Sequence, residues 1–116
     1  MTLVRPLDST AERVAPSAVA WIDERRALIA GLAEDGVVST CHVERGDLPE
    51  ERFLASVVRV IGDRERVVIL GPGDMRLALE REYVTIYRRP DRLVDVEPAA
   101  PLGEGDLIAR VRALAS

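Results

Sequence analysis

The sequence has few or no residues of several types, and these shortages exclude some kinds of structure and site. Cys41 is the single cysteine, so neither an internal disulfide nor a zinc site built from several cysteines can form. Lysine, asparagine and glutamine are absent, and aromatic residues make up only 3% of the chain. No stretch approaches the roughly 18 consecutive apolar residues of a membrane span, so we expect no membrane partner. The N-terminus lacks the pattern of a secretory signal, which predicts a cytoplasmic protein.

The residues that are present fit one globular domain. The chain has 116 residues, of which 47% are hydrophobic and 31% are charged. Its net charge of −4 argues against a protein that coats nucleic acid generally, although a local basic face remains compatible with it. Residues 1–16 contain two prolines and no hydrophobic periodicity, which predicts a flexible N-terminal tail. Residues 17–116 are predicted to form a single α/β domain.

The first half of this domain contains three short apolar runs joined by turn signals. Residues 17–23, 26–33 and 37–43 are rich in strand-forming residues, and Gly36 can adopt the positive φ of a hairpin turn. These runs predict an antiparallel meander of three strands. Cys41 is expected to face the core.

The hydrophobic period then changes to that of a helix. Asp47 is predicted to cap a first helix that ends at Gly62. Residues 66–70 form a continuous apolar run, which is typical of a buried strand. A second helix is predicted from about Asp74, a strand over residues 93–97, and a last helix capped by Asp106. The apolar positions expected to be buried by the second helix are Met75, Leu79, Tyr83 and Ile86.

The predicted order is therefore βββαβαβα. Strand–helix–strand units connect parallel strands by right-handed crossovers. A three-strand meander followed by two such crossovers gives a mixed five-stranded sheet of order 3-2-1-4-5. This is the ribonuclease H-like arrangement, with helices on both faces of the sheet.

Two short motifs suggest a family. Trp21-Ile22-Asp23 with Arg25 lies in AWIDERRALIA, and Gly71-Pro72-Gly73 lies in RVVILGPGDMRLALEREY. Together with the order of elements over about residues 18–115, they resemble small bacterial translational machinery proteins. Those proteins are related to the middle domain of archaeal and eukaryotic peptide-chain release factors and Pelota. The resemblance implies a domain that acts in translation and contacts the ribosome or RNA.

One departure limits what the resemblance implies. Release factors of this class hydrolyse peptidyl-tRNA with a Gly-Gly-Gln loop, whereas this chain has no Gly-Gly pair and no glutamine. The hydrolytic activity is therefore not carried over, and the resemblance implies at most a Pelota-like binding role or a stand-alone domain with a new function. No cofactor is expected.

The predicted topology brings two sets of polar side chains to opposite edges of the sheet. Where β-strands one, three, four and five end, a pocket is expected, because ligands of open α/β sheets bind beyond the carboxyl ends of strands. Where those strands begin, arginines could contact RNA phosphates or, since acidic residues are interleaved with them, form a solvated charged edge. The expected pocket residues are Asp23, His42, Asp74 and Glu97, and the expected RNA-binding residues are Arg64, Arg66, Arg88, Arg89 and Arg92.

Purely structural roles for the same residues stay open. Asp23 and Asp74 stand where a turn residue and a helix cap are expected, and Gly71-Pro72-Gly73 suits a structural tight turn. His42 has no second histidine or nearby Glu-x-x-His pattern to form a metal site.

Three functional hypotheses follow. The first is a non-enzymatic binding domain of the translation apparatus. The second is a metal-dependent hydrolase or nuclease of ribonuclease H-like fold that uses Asp23 and Asp74, for which the set of carboxylates is incomplete. The third is a module that acts as a homo-oligomer, because each outer strand of the sheet offers an edge for pairing.

Overall fold

A computed structural model of the chain describes residues 14–116. The predicted flexible tail of residues 1–16 therefore lies almost entirely outside the described residues. Its last residues lead directly into the sheet. There the carbonyl oxygen of Pro16 accepts hydrogen bonds from the backbone N–H groups of Glu65 and Arg66, at 2.9 and 3.3 Å.

The described residues form five strands, three α-helices and one short 3₁₀ helix, Pro90–Arg92. The strands are β1 (Ser17–Ile22), β2 (Arg26–Leu32), β3 (Val38–Glu44), β4 (Arg66–Gly71) and β5 (Leu93–Pro98). The helices are α1 (Glu50–Ile61), α2 (Met75–Tyr87) and α3 (Glu104–Ala115).

The predicted topology is confirmed. The strands form one mixed sheet of order β3-β2-β1-β4-β5. The pairs β3–β2 and β2–β1 are antiparallel, and the pairs β1–β4 and β4–β5 are parallel. The strands β1, β3, β4 and β5 therefore run in the same direction. We call the edge where these four strands begin the amino edge, and the edge where they end the carboxyl edge.

The core has two halves because alternate residues of the central strands point to opposite faces of the sheet. Helices α1 and α2 cover one face, where Phe53, Val57 and Tyr83 pack against β1, β2 and β4. Helix α3 covers the other face, where Leu107 and Val111 pack against Trp21. The indole N–H of Trp21 also donates to the carbonyl oxygens of Ala99 and Ala100, at 3.2 and 3.1 Å, and so fixes the segment that leads into α3.

Two predicted helix caps are wrong. Asp47 does not cap α1. It lies instead in a turn that is closed by the hydrogen bond from Leu48 N–H to the Arg45 carbonyl. Pro49, in extended conformation, precedes the helix instead. Asp106 lies inside α3 rather than before it, and its carboxylate reaches back to the N–H of Gly103 at 3.3 Å. A carboxylate at this third helical position stabilises the helix start without being the cap residue itself.

Two predicted core residues are exposed. Ile86 keeps 46% of its surface accessible, because Tyr87, four residues after Tyr83, takes the place on the buried face of α2. The rings of Tyr83 and Tyr87 are 4.9 Å apart. Cys41 is exposed because it lies in the middle of the outermost strand β3, at the margin of the sheet. Met75, Leu79 and Tyr83 are buried as predicted.

Candidate functional site

The four residues expected to share a pocket at the carboxyl edge fall into three separate groups. Asp23 and Asp74 line one hollow of about 300 Å³, between the β1–β2 turn and the β4–α2 turn. His42 Nε2 lies 3.7 Å from a carboxylate oxygen of Glu104 at the start of α3. Glu97 Oε2 lies 3.2 Å from Arg110 of α3. Only Asp23 and Asp74 are therefore brought together, and their side chains differ in role.

Asp23 organises the turn between β1 and β2. Its Oδ1 accepts hydrogen bonds from the backbone N–H groups of Arg25 and Arg26, at 2.8 and 2.9 Å. This is the local bonding by which aspartate stabilises turns. Asp74 stands at the start of α2 and is exposed, but its side chain caps no helical N–H. Among residues 14–116, no three His, Cys, Asp or Glu side chains come together closely enough to hold a metal ion.

A second polar groove on the carboxyl edge was not predicted from the sequence. Its volume is about 660 Å³, and Glu24, Glu44 and Arg45 contribute to its walls. The side chain of Arg45 joins two walls of this groove. Its Nε donates to the Leu48 carbonyl at 2.9 Å, and its Nη1 donates to the Glu24 carbonyl at 3.2 Å. The sequence gives no signal for this role, because an arginine in a loop between a strand and a helix has no periodic pattern.

The Gly71-Pro72-Gly73 segment is a tight turn whose first glycine is required by packing. A Cβ atom on Gly71 would lie only 2.2 Å from the carbonyl oxygen of Ile22 in the neighbouring strand β1. A Cβ on Gly73 would have no atom within 4 Å. The close approach of β1 and β4 therefore explains Gly71 without any ligand.

Three of the five arginines at the amino edge hold the fold together. Arg64 donates from Nε to the Ile61 carbonyl at 2.9 Å and from Nη1 to the Leu32 carbonyl at 3.3 Å. Arg66 Nη1 donates to the carbonyl of Leu114, at 2.7 Å, at the end of α3. Each of these guanidinium groups ties the end of a helix to the sheet.

Arg92 completes this set. Its side chain is only 17% exposed, and its Nη1 donates to the Arg64 carbonyl at 2.7 Å and to Asp63 Oδ1 at 2.8 Å. It therefore anchors the loop between α1 and β4 to the start of β5.

Arg88 and Arg89, the remaining two, face solvent. They follow the last turn of α2, and both residues are exposed. Arg89 Nε lies 3.5 Å from Asp91, in a pair open to water on both sides, which contributes little to stability. Arg88 has a φ of 57°, and its backbone N–H donates to the Val84 carbonyl at 2.7 Å to end α2. The structure thus leaves two adjacent cationic side chains exposed to solvent at this edge.

Tyr83 links α2 to the end of α1 at the same edge. Its hydroxyl donates to the Gly62 carbonyl at 2.9 Å and accepts from the Arg64 N–H at 3.3 Å. Burial raises the pKa of the Tyr83 hydroxyl, and the hydrogen bond from Arg64 opposes that shift. The sequence placed this ring in the core but gave no signal for the partners of its hydroxyl group.

The sheet order and the helices on its two faces define an α/β domain with a mixed five-stranded sheet, and solved structures of other proteins share this fold. In particular, the fold is shared with Archaeoglobus fulgidus Pelota, at a TM-score of 0.64 and 16% identity over 95% of this chain. Thermoplasma acidophilum Pelota has a TM-score of 0.61 and 18% identity over 94% of the chain. Saccharomyces cerevisiae Dom34, described as a translation termination-like factor that interacts with Hbs1, has a TM-score of 0.55 and 11% identity over 81%.

This likeness concerns the fold. The chain spans 34%, 40% and 32% of the lengths of those three proteins, respectively. No protein-family model matches the sequence, and no curated protein is significantly similar to it. Within residues 14–116, no helix has both the length and the apolar character needed to cross a membrane.

Proposed function

We propose that this chain is a non-enzymatic binding domain that works with the translation apparatus in the cytoplasm, where it contacts RNA or the ribosome. The observation that carries the proposal is the fold shared with Pelota and Dom34 over most of the chain. The absence of glutamine and of a Gly-Gly pair supports a binding role, since the Gly-Gly-Gln chemistry of release factors has no counterpart in the sequence.

The proposed contact surface is narrower than the sequence suggested. Arg64, Arg66 and Arg92 are held by backbone carbonyls, so moving them onto phosphates would cost structural hydrogen bonds. Arg88 and Arg89 are exposed and adjacent, and guanidinium groups bind phosphate oxygens in bidentate geometry. We therefore assign the RNA contact to Arg88 and Arg89.

The metal-dependent hydrolase has weaker support. It depended on Asp23 and Asp74, and one oxygen of Asp23 already accepts two backbone N–H groups of its own turn. That bonding gives Asp23 a structural role in the absence of any ion.

The proposal is tested by sedimentation of the tagged protein with ribosomes from its own host, at low and at high salt. Comigration that salt weakens is expected, because contacts with phosphates release counterions. The double variant Arg88→Glu with Arg89→Glu is expected to lower ribosome binding by about tenfold or more, since each substitution removes a phosphate contact and adds repulsion.

A matched control is available on the opposite edge of the sheet. Arg25 and Arg26 are also adjacent and exposed, and their replacement by glutamate changes the net charge by the same amount. This control variant should bind ribosomes as the unmodified protein does. Equal loss in both variants would show a general charge effect, and unchanged binding of the Arg88/Arg89 variant would refute the assignment of the contact.

A further inference from the structure

The two outer strands of the sheet differ in how they are protected against pairing with another chain. Exposed edges in natural proteins are usually blunted by charges, proline or a bulge. Strand β5 has all three: the register of its pairing with β4 shifts between Val67 and Val68, it carries Asp95 and Glu97, and it ends at Pro98. Its edge is therefore unsuited to a further strand.

Strand β3 has none of these protections along its central part. It pairs with β2 in continuous register over all seven residues, Val38–Glu44. Its only side chain with a fixed charge is that of Glu44, at its end, in a protein whose residues are 31% charged. Among residues 14–116, β3 has no partner on its outer side, and the side chains from Ser39 to His42 are exposed on both faces.

The hydrogen bonds at the two ends of the β2–β3 pair fix which backbone groups of β3 point outward. Ala33 N–H donates to the Val37 carbonyl, and Arg45 N–H donates to the Arg25 carbonyl. Hydrogen-bonded pairs alternate with non-hydrogen-bonded pairs along an antiparallel ladder. The backbone N–H and C=O groups of the odd-numbered residues of β3 therefore point toward β2. The N–H and C=O groups of Thr40 and His42 therefore point away from the sheet.

From this geometry we infer that two copies of the chain associate by antiparallel pairing of their β3 strands about a two-fold axis at Cys41. This register matches the outward groups of Thr40 in one copy with those of His42 in the other. Glu44 then lies opposite Val38 of the second copy, so no like charges oppose each other directly. The full length of β3 is used, and the two sheets join into one of ten strands.

Cys41 is the non-hydrogen-bonded residue at the centre of this arrangement. The Cα atoms of such a pair are separated by about 4.5 Å, which lies within the range that a disulfide can span. The exposed thiols of the two copies therefore report on the register directly. One strand pair buries less area than a typical stable interface of ~1,600 Å², so the association is concentration-dependent.

The inference is independent of RNA binding, and sedimentation velocity over a range of concentrations tests it on the full chain. A monomer–dimer equilibrium is expected. Mild oxidation with copper phenanthroline should join the copies through Cys41 in the concentration range where the dimer forms. Thr40→Pro removes one outward N–H and leaves the ladder with β2 intact, because proline is tolerated where a strand edge faces solvent.

Thr40→Pro should weaken dimerisation and disulfide formation by at least about tenfold, whereas Thr40→Ala, which keeps the N–H, should change neither by more than about twofold. Circular dichroism that matches the unmodified chain excludes misfolding of the proline variant. If it is misfolded, amide exchange in the unmodified chain decides instead: the N–H groups of Thr40 and His42 should exchange slowly only where the dimer is populated.

Three results would overturn the inference. They are a monomer at several hundred micromolar without a Cys41 disulfide, a dimer that a folded Thr40→Pro variant preserves, and protection of the two amides in the monomer. The last result would mean that another part of the same chain covers the edge.

Discussion

Gly71 and Gly73 flank the same proline, yet the structure makes different demands on them. Gly71 lies in β4, and any side chain there would meet the backbone of β1 at Ile22. Gly73 lies in an open turn with a negative φ and free space around it. A backbone carbonyl cannot move aside as a flexible side chain can, so the two positions should respond oppositely to the same substitution.

We expect Gly71→Ala to lower the free energy of unfolding by about 1–3 kcal/mol, because the added methyl group forces β1 and β4 apart. Gly73→Ala should leave it unchanged or raise it by about 0.4–1 kcal/mol, since alanine restricts the unfolded chain. Urea unfolding of both variants checks this. Equal effects of the two substitutions would contradict the close approach at Gly71.

Single residues are where sequence interpretation was weakest. Arg64 and Arg89 look alike in the sequence, but one is bound to the carbonyls of Ile61 and Leu32 and the other is exposed. The difference depends on which distant carbonyls come within reach of each guanidinium group, and that is set by tertiary packing. For the same reason the sequence could not separate Asp23, which holds a turn, from Asp74, which caps nothing with its side chain.

At the scale of the elements, Tyr83 joins the middle of α2 to the end of α1. Its hydroxyl group satisfies the Gly62 carbonyl at the point where α1 stops, and its ring fills the core beneath. Carbonyl groups at the end of an α-helix have no partner within the helix, so without Tyr83 this carbonyl would be left to water. The contact therefore contributes both burial and a cap.

Tyr83→Phe is expected to lower the free energy of unfolding by about 1–2 kcal/mol at pH 7, because the Gly62 carbonyl loses its donor. The raised pKa of Tyr83 makes the difference pH-dependent. The unfolded chain releases the phenol proton first, so this stabilisation is complete below pH 10.0 and is lost as the pH rises through the higher folded pKa.

Urea unfolding of the unmodified protein and of Tyr83→Phe at several pH values provides the measurement. The difference between them should shrink above pH 10.0. The chain has no lysine, so few other side chains titrate in this range. A difference that stays constant up to alkaline pH would mean that the hydroxyl group is not buried.

Elements were predicted better than residues because hydrophobic period distinguishes strands from helices. The runs that became β1, β2 and β4, together with the apolar faces of α1 and α2, led directly to the order 3-2-1-4-5. The starts of α1 and α3 were misplaced because Asp47 and Asp106 both resemble cap residues. In the structure, α1 begins after the turn that Arg45 closes with Leu48, and α3 begins after Gly103.

At the scale of the whole molecule, the two halves of the core depend on the same strands. Residues of β1 alternate between the two halves: Ala18, Ala20 and Ile22 face α1 and α2, whereas Val19 and Trp21 face α3. Neither face can lose its helices without exposing strands that also support the other face. The domain should therefore unfold as one unit.

Trp21 is the single tryptophan and lies in the half covered by α3, with 3% of its surface exposed. Its fluorescence reports on the docking of α3, while far-ultraviolet circular dichroism reports on all helices and strands. We expect the two unfolding transitions in urea to coincide, as two-state behaviour requires. A fluorescence change at lower urea would show that α3 detaches first.

The left-handed backbone of Arg88 has a consequence for how this protein would evolve. Helix α1 ends at a glycine with a φ of 74°, whereas α2 ends at an arginine with a φ of 57°. A residue with a Cβ pays about 1 kcal/mol in that region, and glycine avoids the strain. Selection for heat resistance alone would favour replacing Arg88 by glycine, and selection for contact with an anionic partner would favour keeping it. The residue at this position in a lineage would thus record which of the two pressures prevailed.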